Sequence, residues 1–436
     1  MVLYCMHVTV IGVGYVGLCT GVGLALKGHN VTGITTTADK AVMINDGKSP
    51  IFEEGLELHL KECLSKGTFR STINIDSAVK AAEVIFICVG TPSSDDGKIN
   101  LSQIKSASIS IGQAFKNTSS YKAIIVKSTV VPGTTEEVVL PLIEEYSEKK
   151  VGIDFGLGMN PEFLREGKAM DDFLNPDRIV IGSYDEKSAS TAKKIYNLFN
   201  APIIETDIQT AEMIKYASNS FLATKISFMN ELGNLCKKLK IDTYEVAKGM
   251  GLDSRISPHF LQAGIGYGGS CFPKDTKALI FKARETDSQM RILEYVEEIN
   301  YKQRFMILDM LKSKMNFDLK EKNIAILGLA FKAGTDDMRD SPSIDIINEL
   351  HKQGARIKAY DPQAIINAKK IMPFVQYLNS PQEVLRNADA CLVLTEWPEF
   401  SALTDEDFNL MADKIVMEGR KILDPQKVSG YEGVCW

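Results

Sequence analysis

The stretch His7-Val8-Thr9-Val10-Ile11-Gly12-Val13-Gly14-Tyr15-Val16-Gly17 decides the fold of this chain. His7 to Gly12 reads as a short apolar strand. The run from Gly12 to Gly17 fits G-x-G-x-x-G, and an apolar helical pattern follows it to Lys27. Gly28-His29-Asn30 makes a turn, and Val31 to Ile34 a second strand. A strand, a glycine loop, a helix and a strand within about 30 residues form the unit that brings backbone N–H groups to a pyrophosphate at a helix N-terminus. A tight turn without a ligand is the weaker reading. Gly12, Gly14, Tyr15, Val16 and Gly17 are therefore candidate cofactor contacts.

The pattern continues outward from there. Val84 to Val89 and Ala123 to Val126 are unbroken apolar runs, each fed by a helical stretch. Continuous apolar strands alternating with helices indicate a parallel, doubly wound sheet. The strands leave through Gly90-Thr91-Pro92 and Lys127-Ser128-Thr129. Carboxyl ends of such strands face the ligand crevice. Gly90, Thr91 and Thr129 are thus site candidates, with strand-end capping by the hydroxyls as the plain alternative. Thr210 to about Lys240 reads as a long helix whose polar residues Glu212, Lys215, Asn219 and Lys225 recur near one face. After Glu321 a second α/β pattern starts, with strands at 323–327, 355–360 and 390–395 and a helix at 343–352, but without a complete glycine fingerprint. The expected class is α/β, with two Rossmann-like doubly wound domains joined by a long central helix.

Three constellations carry chemistry. In Gly268-Gly269-Ser270-Cys271-Phe272-Pro273-Lys274-Asp275-Thr276, Pro273 suits the first turn of a helix. Cys271 then lies at a helix N-terminus beside Lys274, where the dipole and an ammonium favour the thiolate. Asp275 follows one turn later. In isolation, a buried structural cysteine is as good a reading. Asn160-Pro161-Glu162-Phe163-Leu164-Arg165-Glu166-Gly167 places two carboxylates four apart, on one face if a helix follows Pro161. Lys215 and Asn219 repeat that spacing, and an ammonium with an amide can donate to an oxygen gaining charge.

The 436 residues are too many for one ordinary core. The net charge of -6 is spread along the chain and offers no tract for nucleic acid. No apolar run approaches the ~20 residues of a membrane helix. Eight scattered cysteines and five isolated histidines give no zinc spacing, and no metal is expected. The sequence enters its first strand without leader anatomy, so a reducing cytoplasm is the expected setting.

On these runs the chain resembles the UDP-glucose/GDP-mannose dehydrogenase family over almost its whole length. The same order of marks includes Val89 to Pro92, Lys127 to Val130, Asn175-Pro176-Asp177-Arg178, Arg255 to Asp275 and Gly328 to Ser341. The resemblance implies an NAD-binding domain over 1–205, a helical dimerisation domain over 206–315 and a UDP-sugar-binding Rossmann-like domain over 316–436. It implies a four-electron oxidation of a UDP-sugar C6 hydroxyl to a carboxylate with two NAD. Cys271 would be the nucleophile. Lys215 and Asn219 would stabilise the oxyanion. Asp275 and a water on Thr129 would move protons, while Glu162 and Glu166 orient substrate and assist hydrolysis. Phe163, Leu164, Phe260, Tyr267 and Gly268 would line the sugar, and Phe331 and Lys332 the uridine and diphosphate. Glu166, Lys274 and Arg339 would touch the cofactor. Arg255 would reach the neighbouring subunit's sugar, which implies a homodimer.

Two departures stand out. Thr35 occupies the position of the acid that usually binds the ribose hydroxyls, with Lys40 close behind. Thr removes the charge that repels a 2′-phosphate, which weakens the case against NADP and leaves it open, while the lack of an arginine at that turn favours NAD. The family's Asp-Gly-Arg run after its last strand is read here as Leu423-Asp424-Pro425-Gln426, so an arginine contact near the diphosphate or cofactor is expected to be missing or supplied elsewhere. Relatives acting on UDP-N-acetylmannosamine typically carry His before the cysteine and lack Lys after the Pro. Ser270 and Lys274 therefore point to the UDP-glucose branch. Another UDP-hexose, N-acetylglucosamine or galactose, and a weakened nucleotide-sugar-binding protein are the alternatives.

Overall fold

A computed structural model describes residues 5–94 and 96–436. By internal packing the chain divides into two units, Met1–Ser218 and Asn219–Trp436.

The first unit is an eight-stranded sheet in the order β3-β2-β1-β4-β5-β6-β7-β8. Its strands are β1 (His7–Ile11), β2 (Asn30–Ile34), β3 (Phe69–Thr72), β4 (Val84–Ile87), β5 (Lys122–Val126), β6 (Phe155–Met159), β7 (Ile179–Ser183) and β8 (Ile203–Thr206). All pairings are parallel except β6 with β7. The order reverses between β1 and β4, the switch point where α/β sheets open a crevice. Successive residues of β4 and β5 serve opposite layers. Val84, Phe86, Ala123 and Ile125 join the core that holds the helix Tyr15–Leu26, while Ile85, Ile87, Ile124 and Val126 join the other core. Covering both faces is what makes these runs continuously apolar.

The glycine fingerprint is a packing requirement first. Gly12 has φ +94°, and a Cβ there would lie 2.8 Å from the Cys88 carbonyl oxygen. A Cβ on Gly17 would lie 1.8 Å from the Gly12 oxygen, so the helix can start against β1 only without a side chain there.

The helix Ile208–Leu239, 32 residues long, runs across the division between the units. Asp207 starts it, accepting from the Thr210 N–H at 2.7 Å and from its hydroxyl at 2.6 Å. Lys240 ends it with φ +59°, and the Ile241 N–H returns to the Cys236 carbonyl.

The second unit continues through the helices Thr243–Gly251, Phe272–Glu285, Arg291–Gln303 and Met306–Lys314 into a six-stranded parallel sheet. Its strands are β9 (Asn323–Leu327), β10 (Arg356–Tyr360), β11 (Gln376–Tyr377), β12 (Ala390–Val393), β13 (Val416–Glu418) and β14 (Glu432–Gly433), in the order β11-β10-β9-β12-β13-β14. This is the doubly wound order again, with its switch point between β9 and β12. No helix among the described residues is long and apolar enough to cross a membrane.

Gly17→Ala should lower stability by about 3 kcal/mol, the scale of overpacking against backbone. Thermal unfolding reads this out, and an unchanged Tm would contradict the close approach.

Candidate active site

In the first unit the fingerprint loop is built for a ligand. Gly14 caps the helix Tyr15–Leu26, and a Cβ there would meet nothing within 4 Å. The first helical turn carries no acid, so its N–H groups and dipole face open space, a fit for a pyrophosphate. The Tyr15 hydroxyl donates to the Phe52 carbonyl at 3.3 Å, and Val16 is half-buried. Thr35 is buried, its N–H bonded to the Thr72 carbonyl. Lys40 is half-buried, and burial lowers its pKa. At the strand exits, Gly90 donates to Gln103 Oε1 at 3.1 Å, and the Thr91 hydroxyl donates to the Thr129 carbonyl at 2.8 Å. Thr91 thus ties two strand ends together, while the Thr129 side chain remains half-exposed.

The expected helix after Pro161 is absent. Residues 160–168 form a loop and the next helix begins at Ala169. Two sets of contacts replace it: Glu162 Oε2 accepts from the Leu164 N–H at 2.6 Å, a turn that competes with helical pairing, and Glu53 takes the N–H groups of Gly167 and Ala169 at 2.8 and 2.7 Å. Glu162 and Glu166 therefore do not share a helical face. Glu162 is 5% exposed and pairs with Lys215 Nζ at 2.8 Å; Glu166 is half-buried. Burial pushes the Glu162 carboxyl up, but the Lys215 charge and hydrogen bond, the Leu164 N–H and the Lys127 charge together hold it below its ordinary value. Leu164 packs on the unit's core. The Phe163 ring lies 5.5 Å from Lys215 Nζ, and the Arg178 guanidinium is 3.8 Å from its centroid.

Two residues of this half were missed as site components. Lys127, at the end of β5, is fully buried and donates to Asn160 Oδ1 at 2.8 Å. That oxygen also accepts from the Tyr196 hydroxyl, and Asn160 Nδ2 donates to the Val180 carbonyl. Burial pulls the Lys127 pKa down to about 8, opposed by Cys88 and Glu162 and aided by Lys215. Glu212, one turn before Lys215, accepts from the N–H groups of Gly133 and Thr135 and from the Thr135 hydroxyl. Burial raises it to about 7. A lysine inside a strand exit and an acid on an apolar helix were the available signals.

In the second unit Cys271 is the N-cap of the helix Phe272–Glu285, with Pro273 in its first turn. It is half-buried, unlike the buried Cys236, Cys391 and Cys435. Its Sγ lies 3.6 Å from the Ser270 hydroxyl. The dipole end and partial access suit a reactive thiolate. Asp275 donates its N–H to the Cys271 carbonyl at 2.8 Å. Its carboxylate, 1% exposed, accepts from Asn219 Nδ2 at 2.6 Å and Lys274 Nζ at 2.5 Å. Lys274 is thereby anchored to the acid rather than to the thiol.

The loop before the cysteine rests on the exit of β9. Gly269 has φ +85°, where a Cβ would lie 2.7 Å from the Phe331 ring, and its N–H bonds the Arg339 carbonyl. A Cβ on Gly268 would lie 2.3 Å from the Asp340 oxygen. Phe331 and Lys332 are half-buried, with Lys332 Nζ 5.6 Å from the Phe331 centroid. Arg339 is exposed and forks onto Asp337. Phe260 and Tyr267 pack edge-on against Phe272, and the Tyr267 hydroxyl donates to Glu297 at 2.9 Å. Arg255 is exposed and paired with Asp253.

An arginine does follow a strand end, at another place than the run read for it. Strand β13 ends at Glu418, and Gly419-Arg420 follow at once. The sequence reading placed that strand end a few residues too late. Arg420 Nη2 donates to the Gly266 carbonyl at 2.9 Å, beside the cysteine loop.

The chain is similar to known proteins along nearly its whole length. Residues 6–200 match the NAD binding domain of the UDP-glucose/GDP-mannose dehydrogenase family, residues 209–302 its central domain and residues 325–425 its UDP binding domain. A UDP-glucose 6-dehydrogenase of Haloferax volcanii is 43% identical over 98% of this chain and 100% of its own length. One from Bacillus subtilis is 43% identical over 98% and 96%. The solved structure of a UDP-glucose dehydrogenase from Pyrobaculum islandicum superposes with TM-score 0.94 at 38% identity, covering 99% of this chain and 98% of that one.

The Lys127 pKa has a consequence for stability. Its folded value lies below the unfolded 10.5. The buried charge therefore opposes folding fully below pH 8, and the opposition fades as pH rises to 10.5. Denaturation of Lys127→Met should show a gain over the parent on the order of 3 kcal/mol at pH 7 that closes by pH 10.5. A gap independent of pH contradicts the assignment.

Proposed function

Because the chain belongs to the UDP-glucose/GDP-mannose dehydrogenase family, we propose that it oxidises C6 of UDP-glucose to the carboxylate of UDP-glucuronate. Bound NAD accepts a hydride in each of two oxidations. The observation that carries the reading is Cys271 at a helix N-terminus, on a glycine loop seated against the β9 exit, with Asp275 one turn below it and bonded to Asn219 of another helix.

Each residue follows from its chemistry. The C6 hydroxyl loses a proton and a hydride to give the aldehyde. The Cys271 thiolate adds to that carbonyl, and Lys215 and Asn219 donate to the oxygen that gains charge. Loss of the second hydride leaves a thioester on Cys271. Water attacks it, the C–S bond breaks, the thiolate returns and the acid departs. Asp275 and a water held by Thr129 move protons, and Glu162 and Glu166 orient sugar and water. Tyr15, Val16, Gly90, Lys274 and Arg339 serve the cofactor. Phe163, Leu164, Phe260, Tyr267 and Gly268 line the sugar, and Phe331 and Lys332 meet the uridine diphosphate, with Arg420 supplying a further cation. We assign domains 1–205, 206–315 and 316–436 to cofactor, dimer contact and UDP-sugar. The turn after β2 carries no arginine to meet a 2′-phosphate, which favours NAD over NADP.

The working unit we propose is a homodimer in a reducing cytoplasm. Phe221, Phe228 and Leu235, seven residues apart on the central helix, are 65, 51 and 53% exposed, an apolar stripe fit for a second helix. Arg255, exposed in the single chain, would then reach the partner's sugar.

Incubation with UDP-glucose and NAD should release two NADH per sugar, read by absorbance, with less or none from UDP-N-acetylglucosamine, UDP-galactose or NADP. No NADH with UDP-glucose sinks the reading. Cys271→Ser should abolish release of the acid, monitored by chromatography; full-rate turnover in that variant would refute the covalent role.

A further inference from the structure

The loop that delivers Cys271 has no regular structure to hold it. Residues 261–270 form neither helix nor strand, and Gly268 and Gly269 belong to the most conformationally free residue type. One side chain does here what a neighbouring strand would do. The Tyr267 N–H donates to Asn300 Oδ1 at 2.8 Å, and Asn300 Nδ2 donates to the Tyr267 carbonyl at 3.1 Å. Both backbone groups of Tyr267 are thus paired with a single amide. The approach is close: Gly266 has φ +88°, and a Cβ there would lie 2.6 Å from Asn300 Oδ1. Asn300 is 3% exposed, inside the helix Arg291–Gln303. Asparagine is a weak helix former, and a buried amide is costly unless bonded. Neither helix formation nor apolar packing favours it at this position; the pairing with Tyr267 does.

Neighbours of Asn300 grip the same loop. Glu297, three residues before it, accepts from the Tyr267 hydroxyl at 2.9 Å. Arg304, four residues after it, donates to the Tyr267 carbonyl at 3.4 Å. Such spacings put the three on one helical face. Gln303 Nε2 donates to the Gly264 carbonyl at 2.7 Å. The Tyr267 ring in turn packs edge-on against Phe272, with centroids 5.8 Å apart, and Phe272 opens the helix that Cys271 caps. The glycine pair is therefore held between two fixed ends, Tyr267 on one side and the helix start on the other.

We propose that Asn300 is a positioning residue for the second oxidation: by holding Tyr267 it sets where the Cys271 sulfur meets the aldehyde carbon. This rests on the function given above. The first hydride leaves C6 before any bond to sulfur forms, so its rate does not depend on the place of the thiol. The second hydride leaves the adduct of Cys271 with the aldehyde, and that adduct forms readily only when sulfur and carbon are already near contact. Release of Tyr267 frees the glycine pair and lets the sulfur drift. Asn300 makes and breaks no bond.

The test compares the full-length parent with Asn300→Ala and Asn300→Asp. The aspartate keeps the shape and the acceptor for the Tyr267 N–H but lacks the donor to the carbonyl, so it reads even where the alanine variant fails to fold. Enzyme in excess over UDP-glucose, with saturating NAD, is followed by stopped-flow absorbance below the Tm of each variant. The first NADH should form within about three-fold of the parental rate, and the second about ten-fold more slowly than in the parent. A purely structural role lowers the active fraction and leaves the ratio of the two rates unchanged. An unaltered second phase overturns the inference, and so does slowing of the first phase by as much as the second. Loss of folding in both variants also overturns it, making Asn300 a requirement of the fold alone. A parent that makes no NADH from UDP-glucose sinks the function and this inference with it. An active parent with indifferent variants sinks only the inference.

Discussion

Three buried polar side chains on successive turns of one helix set the terms for the site. Glu212, Lys215 and Asn219 all face away from water on Ile208–Leu239, and a buried polar group without a partner is costly. Each is met by a different element. Glu212 takes the N–H groups at the start of the segment after Thr129, Lys215 takes the loop after β6, and Asn219 takes the acid one turn into the cysteine helix. A single helical register therefore orients three loops. A one-residue slip of that helix would unpair all three together, so these partnerships depend on helix periodicity.

The same economy of partners recurs at other buried acids. Asp361, at the end of β10, accepts from the N–H groups of Leu329, Ala330, Gln363 and Ala364 and from the Trp397 indole. It stands where a dinucleotide sheet would present an acid to a ribose, yet here it clamps the exit of β9 that carries Phe331 and Lys332. Glu53 does similar work for Gly167 and Ala169. These carboxylates fix backbone, whereas Glu162 and Asp275 each face a lysine ammonium at bonding distance.

Much of this was legible in residue order. The fingerprint glycines, the apolar strands and the long helix follow from short-range steric and periodic rules, and the structure reproduces strands at Asn323–Leu327 and the cap at Cys271. What escaped depended on partners distant in sequence. Pro161 suggested a helix, but Glu162 turns back onto the Leu164 N–H and Glu53 arrives from more than a hundred residues away to hold Gly167. Arg420 was overlooked because β13 is only three residues long and ends at a buried glutamate rather than at an apolar boundary. Lys127 could be read as a solvated strand end until the structure placed two rings and an amide around it.

The reversed strand β7 has a further effect. Because β6 and β7 run antiparallel, the chain leaves the sheet at Met159 and re-enters it at Ile179 on the same side. The excursion between them brings Asn160, Glu162, Phe163 and Arg178 without ever crossing to the opposite edge. A parallel connection would have spent half its length on the far side. The reversal keeps this excursion at one end of the sheet, and the Asn160 amide ties its start to Val180 of the returning strand.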